Sequence, residues 1–177
     1  MTRRNAFYLC ALLPLTLLVV VSGCDTATKT VKKKTGNEFA AYAYEHGIAG
    51  IEFGQLGLRR GTDPAVRAFA QKLVQDNTEA NKQLKFAAND LKLSLPSGMS
   101  ADQITMRDTL VALSGAEFDK AYMTDMVKDL DDTKQEFEAH STTGDIDVIK
   151  RFAARLIGML SADLGMARET AAKVGAK

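Results

Sequence analysis

Thiols are scarce in this chain: 177 residues contain two cysteines, Cys10 and Cys24. Cys10 lies within an N-terminal apolar run and Cys24 closes it, so a chain trimmed before Cys24 keeps no free thiol for a disulfide, a metal or a nucleophile. Charge of either sign is not in excess, since 23 Lys and Arg face 22 Asp and Glu. That balance removes the electrostatic case for a nucleic-acid partner. Long apolar runs are missing as well. The longest, from about Phe7 to Val21, is interrupted by Pro14 and Thr16 and falls short of the roughly 20 residues that span a bilayer. No Gly-rich phosphate loop, G-x-S-x-G elbow or H-E-x-x-H zinc motif occurs, and no run alternates with the period of a strand.

What is present at the N-terminus is a leader. Arg3 and Arg4 precede the apolar run, and Val21-Ser22-Gly23-Cys24 ends it with small residues before a cysteine, as a lipoprotein signal peptidase requires. Residues 1–23 are therefore expected to be a signal peptide cut between Gly23 and Cys24, with Cys24 carrying lipid. A permanent spanning helix and ordinary secretory cleavage are the competing readings. Loss of residues 1–23 removes two arginines and no acid, turning a formal charge of +1 into −1. Residues 24–36 read as a flexible tether made basic by Lys29, Lys32, Lys33 and Lys34, which suits a solvated linker or contact with anionic headgroups. Asp25, directly after the cysteine, favours retention at the periplasmic face of the inner membrane under the sorting rule of enteric bacteria; the outer membrane is the alternative.

Residues 37–175 read as one helical domain. Asn37 is placed to cap a first helix running to about Arg60, and Asp63-Pro64 to start a second running to about Leu93. Pro96 and Gly98 break the chain there. Ser100 with Gln103, and Ser114 with Glu117, have capping-box spacing and open a short helix and a third long one. Thr142-Thr143-Gly144 ends that helix, and Asp145 can cap a fourth reaching nearly to the C-terminus. Apolar residues recur every seven positions: Val66, Leu73, Ala80 and Ala87; Met123, Leu130 and Phe137; Ile149 and Leu156, continued by Asp163 and Thr170. Such rows pack helices at about 20°. The expected fold is an all-α up-down four-helix bundle with a short extra helix in its midpoint connection.

Three segments carry a family resemblance: Gly50-Ile-Glu-Phe-Gly-Gln-Leu-Gly57, Asp63-Pro-Ala-Val-Arg-Ala-Phe-Ala-Gln-Lys-Leu-Val-Gln-Asp76, and Leu113-Ser-Gly-Ala-Glu-Phe-Asp-Lys-Ala-Tyr122. They resemble the bacterial "domain of unknown function 4142" family, exported ferritin-like bundles often labelled outer membrane proteins. The resemblance implies fold and export more firmly than any activity. It also implies three histidines that this chain lacks, their positions being held by Asn77, Leu130 and Asp163. Glu52, matching the family's first-helix glutamate, and Asp163 stay as weak oxygen ligands. Neither histidine completes a Glu-x-x-His pair, because Ala43 precedes His46 by three positions and Phe137 precedes His140.

Asn77 and Asp163 fall on core rows, where an unpaired polar group costs roughly 1–3 kcal/mol. A core network using Arg155 or lysine side chains is the expectation for them. His46, on the row Phe39, His46, Phe53, reads as a satisfied interfacial imidazole and His140 as a surface residue. Asp125, Asp129, Asp131 and Asp132 read as a solvated face pairing with Lys120, Lys128 and Lys134, and Met123, Met126, Met159 and Met166 as core filler. The expectation is a lipid-anchored, non-enzymatic interaction or structural module of the cell envelope. It needs no cofactor, and its partners are membrane lipid through Cys24 and an unidentified envelope protein. The alternative is a metal-binding or oxidoreductase bundle with an altered ligand set.

Overall fold

The computed structural model describes residues 33–176, and these form five helices: α1 Gly36–Arg60, α2 Pro64–Asp90, α3 Ala101–Val111, α4 Gly115–Thr143 and α5 Asp147–Val174. No strand occurs among the described residues. Four long helices and a short one in the midpoint connection make the all-α bundle that the seven-residue rows predict. Val66, Leu73, Met123, Met126, Leu130, Phe137, Ile149 and Leu160 are all buried, together with Phe39, Phe53, Phe69, Phe118 and Tyr122. Each large apolar side chain so buried contributes about 1.5–3 kcal/mol.

Helix α1 packs along α2, α4 along α5, and α2 against α5. The α1–α2 contact is close because α1 presents Gly47, Gly50, Gly54 and Gly57 to α2. A methyl group at Gly50 would lie 2.6 Å from the Asn77 amide, and one at Gly54 would lie 2.9 Å from the Ala70 carbonyl oxygen. Arg60 Nη2 donates to Leu113 O at 2.8 Å, which puts the start of α4 beside the end of α1. The connection from α2 to α4 therefore runs the length of the bundle, so α2 and α4 point the same way, as in ferritin-like crossovers.

The helix starts differ from expectation in three places. Thr35, not Asn37, caps α1, through a complete capping box with Glu38. Ser114 precedes α4 in extended conformation but its side chain makes no capping bond. Ile146 occupies the cap position of α5, while Asp145 Oδ1 accepts from Gly36 N at 2.5 Å and so serves α1 instead. A carboxylate gains more from an N-terminal N–H of a packed neighbour than from its own helix when the fold brings that neighbour within reach. Helix α2 stops at Asp90, short of Leu93, where Lys92 turns the chain with φ 54. The described end of the tether is fixed: Lys34 Nζ pairs with Glu136 at 2.5 Å and lies 4.5 Å from the Tyr42 ring centre.

Candidate functional site

Asp163 is the most deeply buried acid on a core row, 1% exposed, between α5 and α2. Lys72, one turn before Asp76 on α2, brings its Nζ to 2.9 Å from Asp163 Oδ1 and also pairs with Asp76. Two carboxylates thus share one ammonium. Neither Asp163 oxygen gains an aligned hydrogen bond, so its charge is met by proximity alone. Burial, with the Asp76 carboxylate adding to it, pushes the Asp163 carboxyl up to about 6 against the opposing pull of Lys72. For Lys72, burial acts downward, but the two carboxylates outweigh it and hold the ammonium above its ordinary range.

Asn77 does not join this cluster through any direct bond seen here. Its Nδ2 donates to Leu73 O of its own helix at 2.9 Å, and its side chain rests on Gly50. With His46, Asn81, Asp129, Thr133, Met126, Leu130 and Met159 it lines a cavity of about 30 Å³ between the four long helices, room for about one water. Two of the positions that the family resemblance assigns to histidine, Asn77 and Leu130, line this cavity; Asp163 does not. His46 Nδ1 bonds Tyr42 O at 3.0 Å and the imidazole lies on the Tyr42 ring, centres 3.9 Å apart. Burial pushes the nearby Asp129 carboxyl up, and His46 opposes the shift.

His140 is not at the surface. It is 3% exposed and stacks on Phe39 with ring centres 4.0 Å apart and planes within 2°. The turn that ends α4 folds Gly144 over it. Burial pulls its imidazole below the ordinary range, against the opposing pull of Asp145. On the acidic face of α4, Asp131 pairs otherwise than expected. Asp131 accepts from Arg168 of α5 at 2.8 Å and from Gln135, while Lys134 pairs with Glu138. Met123 and Met126 are core residues, and Met159 and Met166 pack against the core from partly buried positions.

Glu52 is half-buried on α1, and no three His, Cys, Asp or Glu side chains among the described residues gather where they could hold one ion. Asp163 already faces a cation, Lys72. Of the expected partners, Arg155 or a lysine, it is a lysine that reaches Asp163, while Arg155 is exposed at the surface. The usable signal for Lys72 was its i,i+4 spacing to Asp76 on the helix that must meet Asp163. Gly23, Cys24 and Asp25 lie outside the described residues. No described helix is long and apolar enough to cross a membrane.

No curated protein matches the chain. A solved structure titled "CopM in the Cu(II)-bound form" superposes with a TM-score of 0.68 at 16% identity, over 80% of this chain and 98% of that one. At that identity the likeness concerns the fold. The family model described as "Domain of unknown function (DUF4142)" matches residues 23–170. With that match over most of its length, and with the five-helix architecture that carries the matched segments, the chain belongs to the DUF4142 family.

Proposed function

We propose that the mature protein is a lipid-anchored module of the bacterial envelope, held at the periplasmic face of a membrane by Cys24, whose bundle acts as a non-enzymatic interaction or structural body. The anchoring half of this reading rests on Val21-Ser22-Gly23-Cys24 after a basic, apolar leader. The observation that carries the other half is the Lys72 ammonium against Asp163. A cation of the chain itself faces the interior acid that the family resemblance leaves as a weak ligand, which supports a structural task for the carboxylate. Two acyl chains on a lipidated cysteine suffice for stable anchoring.

The test isolates the membrane-bound protein and measures the mass of its N-terminal peptide. A diacylglyceryl cysteine at position 24, lost in Cys24→Ser together with cleavage, is the expected result. A processed wild-type N-terminus without lipid refutes the anchoring. A second reading, a metal-binding bundle with an altered ligand set, is favoured by the Cu(II) named in the structural neighbour's title. Against it, the two histidines are apart on separate rings, His140 stacked on Phe39 and His46 tilted against Tyr42. Elemental analysis decides: a stoichiometric metal that disappears in Asp163→Ala would install the second reading in place of the first.

A further inference from the structure

Phe86 is the most exposed large apolar side chain described, 71% accessible on the outer face of α2. It lines an open groove with Lys82, Lys85 and Asn89 of the same helix and Arg155 of α5. Arg151 and Val148 stand four and seven positions before Arg155 and so share its face of α5; both are exposed. Glu79 lines the groove too, one acid against the three basic side chains of the lining, and the other acids nearby stand at helix ends. Glu79 accepts from Gln83 at 3.0 Å, Asp90 ends α2, and Asp147 sits in the first turn of α5, where it offsets the helix dipole.

The groove's position in the bundle indicates what covers it. Gly47 meets Asn81 and Gly50 meets Asn77, so the end of α2 lies beside the start of α1. Asp145 bonds Gly36, so the start of α5 lies there too. That is the end of the bundle at which the chain arrives from Cys24. Lys33 lies nine residue steps after Cys24, a reach of at most roughly 30 Å, so a lipid on Cys24 keeps this end within a short distance of the bilayer.

We infer that Phe86 and its collar of Lys82, Lys85, Arg151 and Arg155 form a docking face for the anionic surface of the membrane that holds Cys24. This rests on the anchoring proposed above. The aromatic ring enters the headgroup boundary, and the long basic side chains reach phosphates while their methylene stems cover apolar surface. The bundle then lies on the membrane by one side instead of hanging from its tether.

The mature chain offers a direct readout, because after processing its only cysteine is the lipidated one. An Asn89→Cys reporter marks the groove. Val111→Cys marks the opposite end, next to Leu113 and Arg60. Each is purified as the lipidated protein, checked by N-terminal mass, and reconstituted in phosphatidylglycerol-rich or pure phosphatidylcholine vesicles. Labelling by a membrane-impermeant maleimide is then timed. Expected is a slowing of roughly fivefold or more at Asn89→Cys in the anionic vesicles only, no change at Val111→Cys, and recovery of the rate in Phe86→Ser or Arg155→Glu backgrounds. Equal rates in both vesicles, from protein whose Cys24 carries lipid, overturn the docking face and leave the anchoring intact. Protection that follows protein concentration instead of lipid charge assigns the groove to a second copy and likewise overturns the proposal. A Cys24 without lipid removes both readings together.

Discussion

At the scale of single residues, Lys72 decides how Asp163 can be buried. An aspartate on a core row announces that it needs a partner, and that much is legible from the row Ile149, Leu156, Asp163, Thr170. Which side chain supplies it is not, because several basic residues of α2 and α5 lie in range and only the packing of the two helices chooses Lys72 over Arg155. The same gap explains His140: charged neighbours in sequence suggested a surface position, while the stacking plane of Phe39 comes from a helix a hundred residues away. Lys72→Met should destabilise the fold by about 1–3 kcal/mol at pH 8, where an unpaired buried carboxylate remains. Asp163 has a folded pKa near 6, above the ordinary 3.8. Its contribution to stability is therefore greatest below pH 4 and is lost as pH rises through 6, at a rate of at most about 1.4 kcal/mol per pH unit. The penalty of Lys72→Met accordingly shrinks as pH falls from 8 to 5. Urea unfolding midpoints of wild type and variant across that range provide the measurement, and a penalty equal at pH 8 and pH 5 contradicts the assignment.

At the scale of elements, helix existence and the short turns were readable because caps and breakers are local. Asp63-Pro64 starts α2 as its residue types require, and Ser100 with Gln103 completes its capping box. Where local signals compete, tertiary contacts choose: Asp145 leaves its own helix for α1. Gly47, Gly50, Gly54 and Gly57 of α1, at spacings of three, four and three, are visible in sequence, but their meaning depends on the partner. Alanine favours a helix over glycine by about 0.8–1.0 kcal/mol, so glycine on a contact face is retained only where a methyl group does not fit. Gly54→Ala sets its methyl group against the Ala70 carbonyl and the Val74 side chain. Overpacking of this kind costs about 1–3 kcal/mol. Gly158 of α5 has nothing within 4 Å of an added methyl group, so Gly158→Ala should stabilise by up to about 1 kcal/mol. Thermal unfolding of the two variants should thus shift in opposite directions, and a stabilising Gly54→Ala shows that α1 and α2 are less closely packed than described.

At the scale of the whole molecule, the direction of the crossover was not legible, since a connection of the length of 91–114 can return to either end. The Arg60–Leu113 bond and the Asp119 carboxylate settle it. Asp119 accepts from Thr62 N at 3.0 Å and Asp63 N at 2.9 Å, tying the start of α4 to the start of α2. One core then runs through all four long helices, with the buried acid Asp163 and its half-exposed partner Lys72 both supplied by the chain. On the reading proposed above, a fold completed in this way is expected to owe no stability to a bound metal. A ligand held at a thousand times its dissociation constant adds about 4 kcal/mol, and in a chain of this size each kcal/mol moves the melting temperature by about 2–4 °C. Stripping a resident metal would therefore lower the midpoint by roughly 8–16 °C. For the detergent-solubilised mature protein the expected outcome is instead an unchanged midpoint after exhaustive dialysis against a chelator, with a single cooperative transition. A fall of that size, restored by one metal and absent in Asp163→Ala, means that the bundle holds an ion and that Lys72 gives way to it.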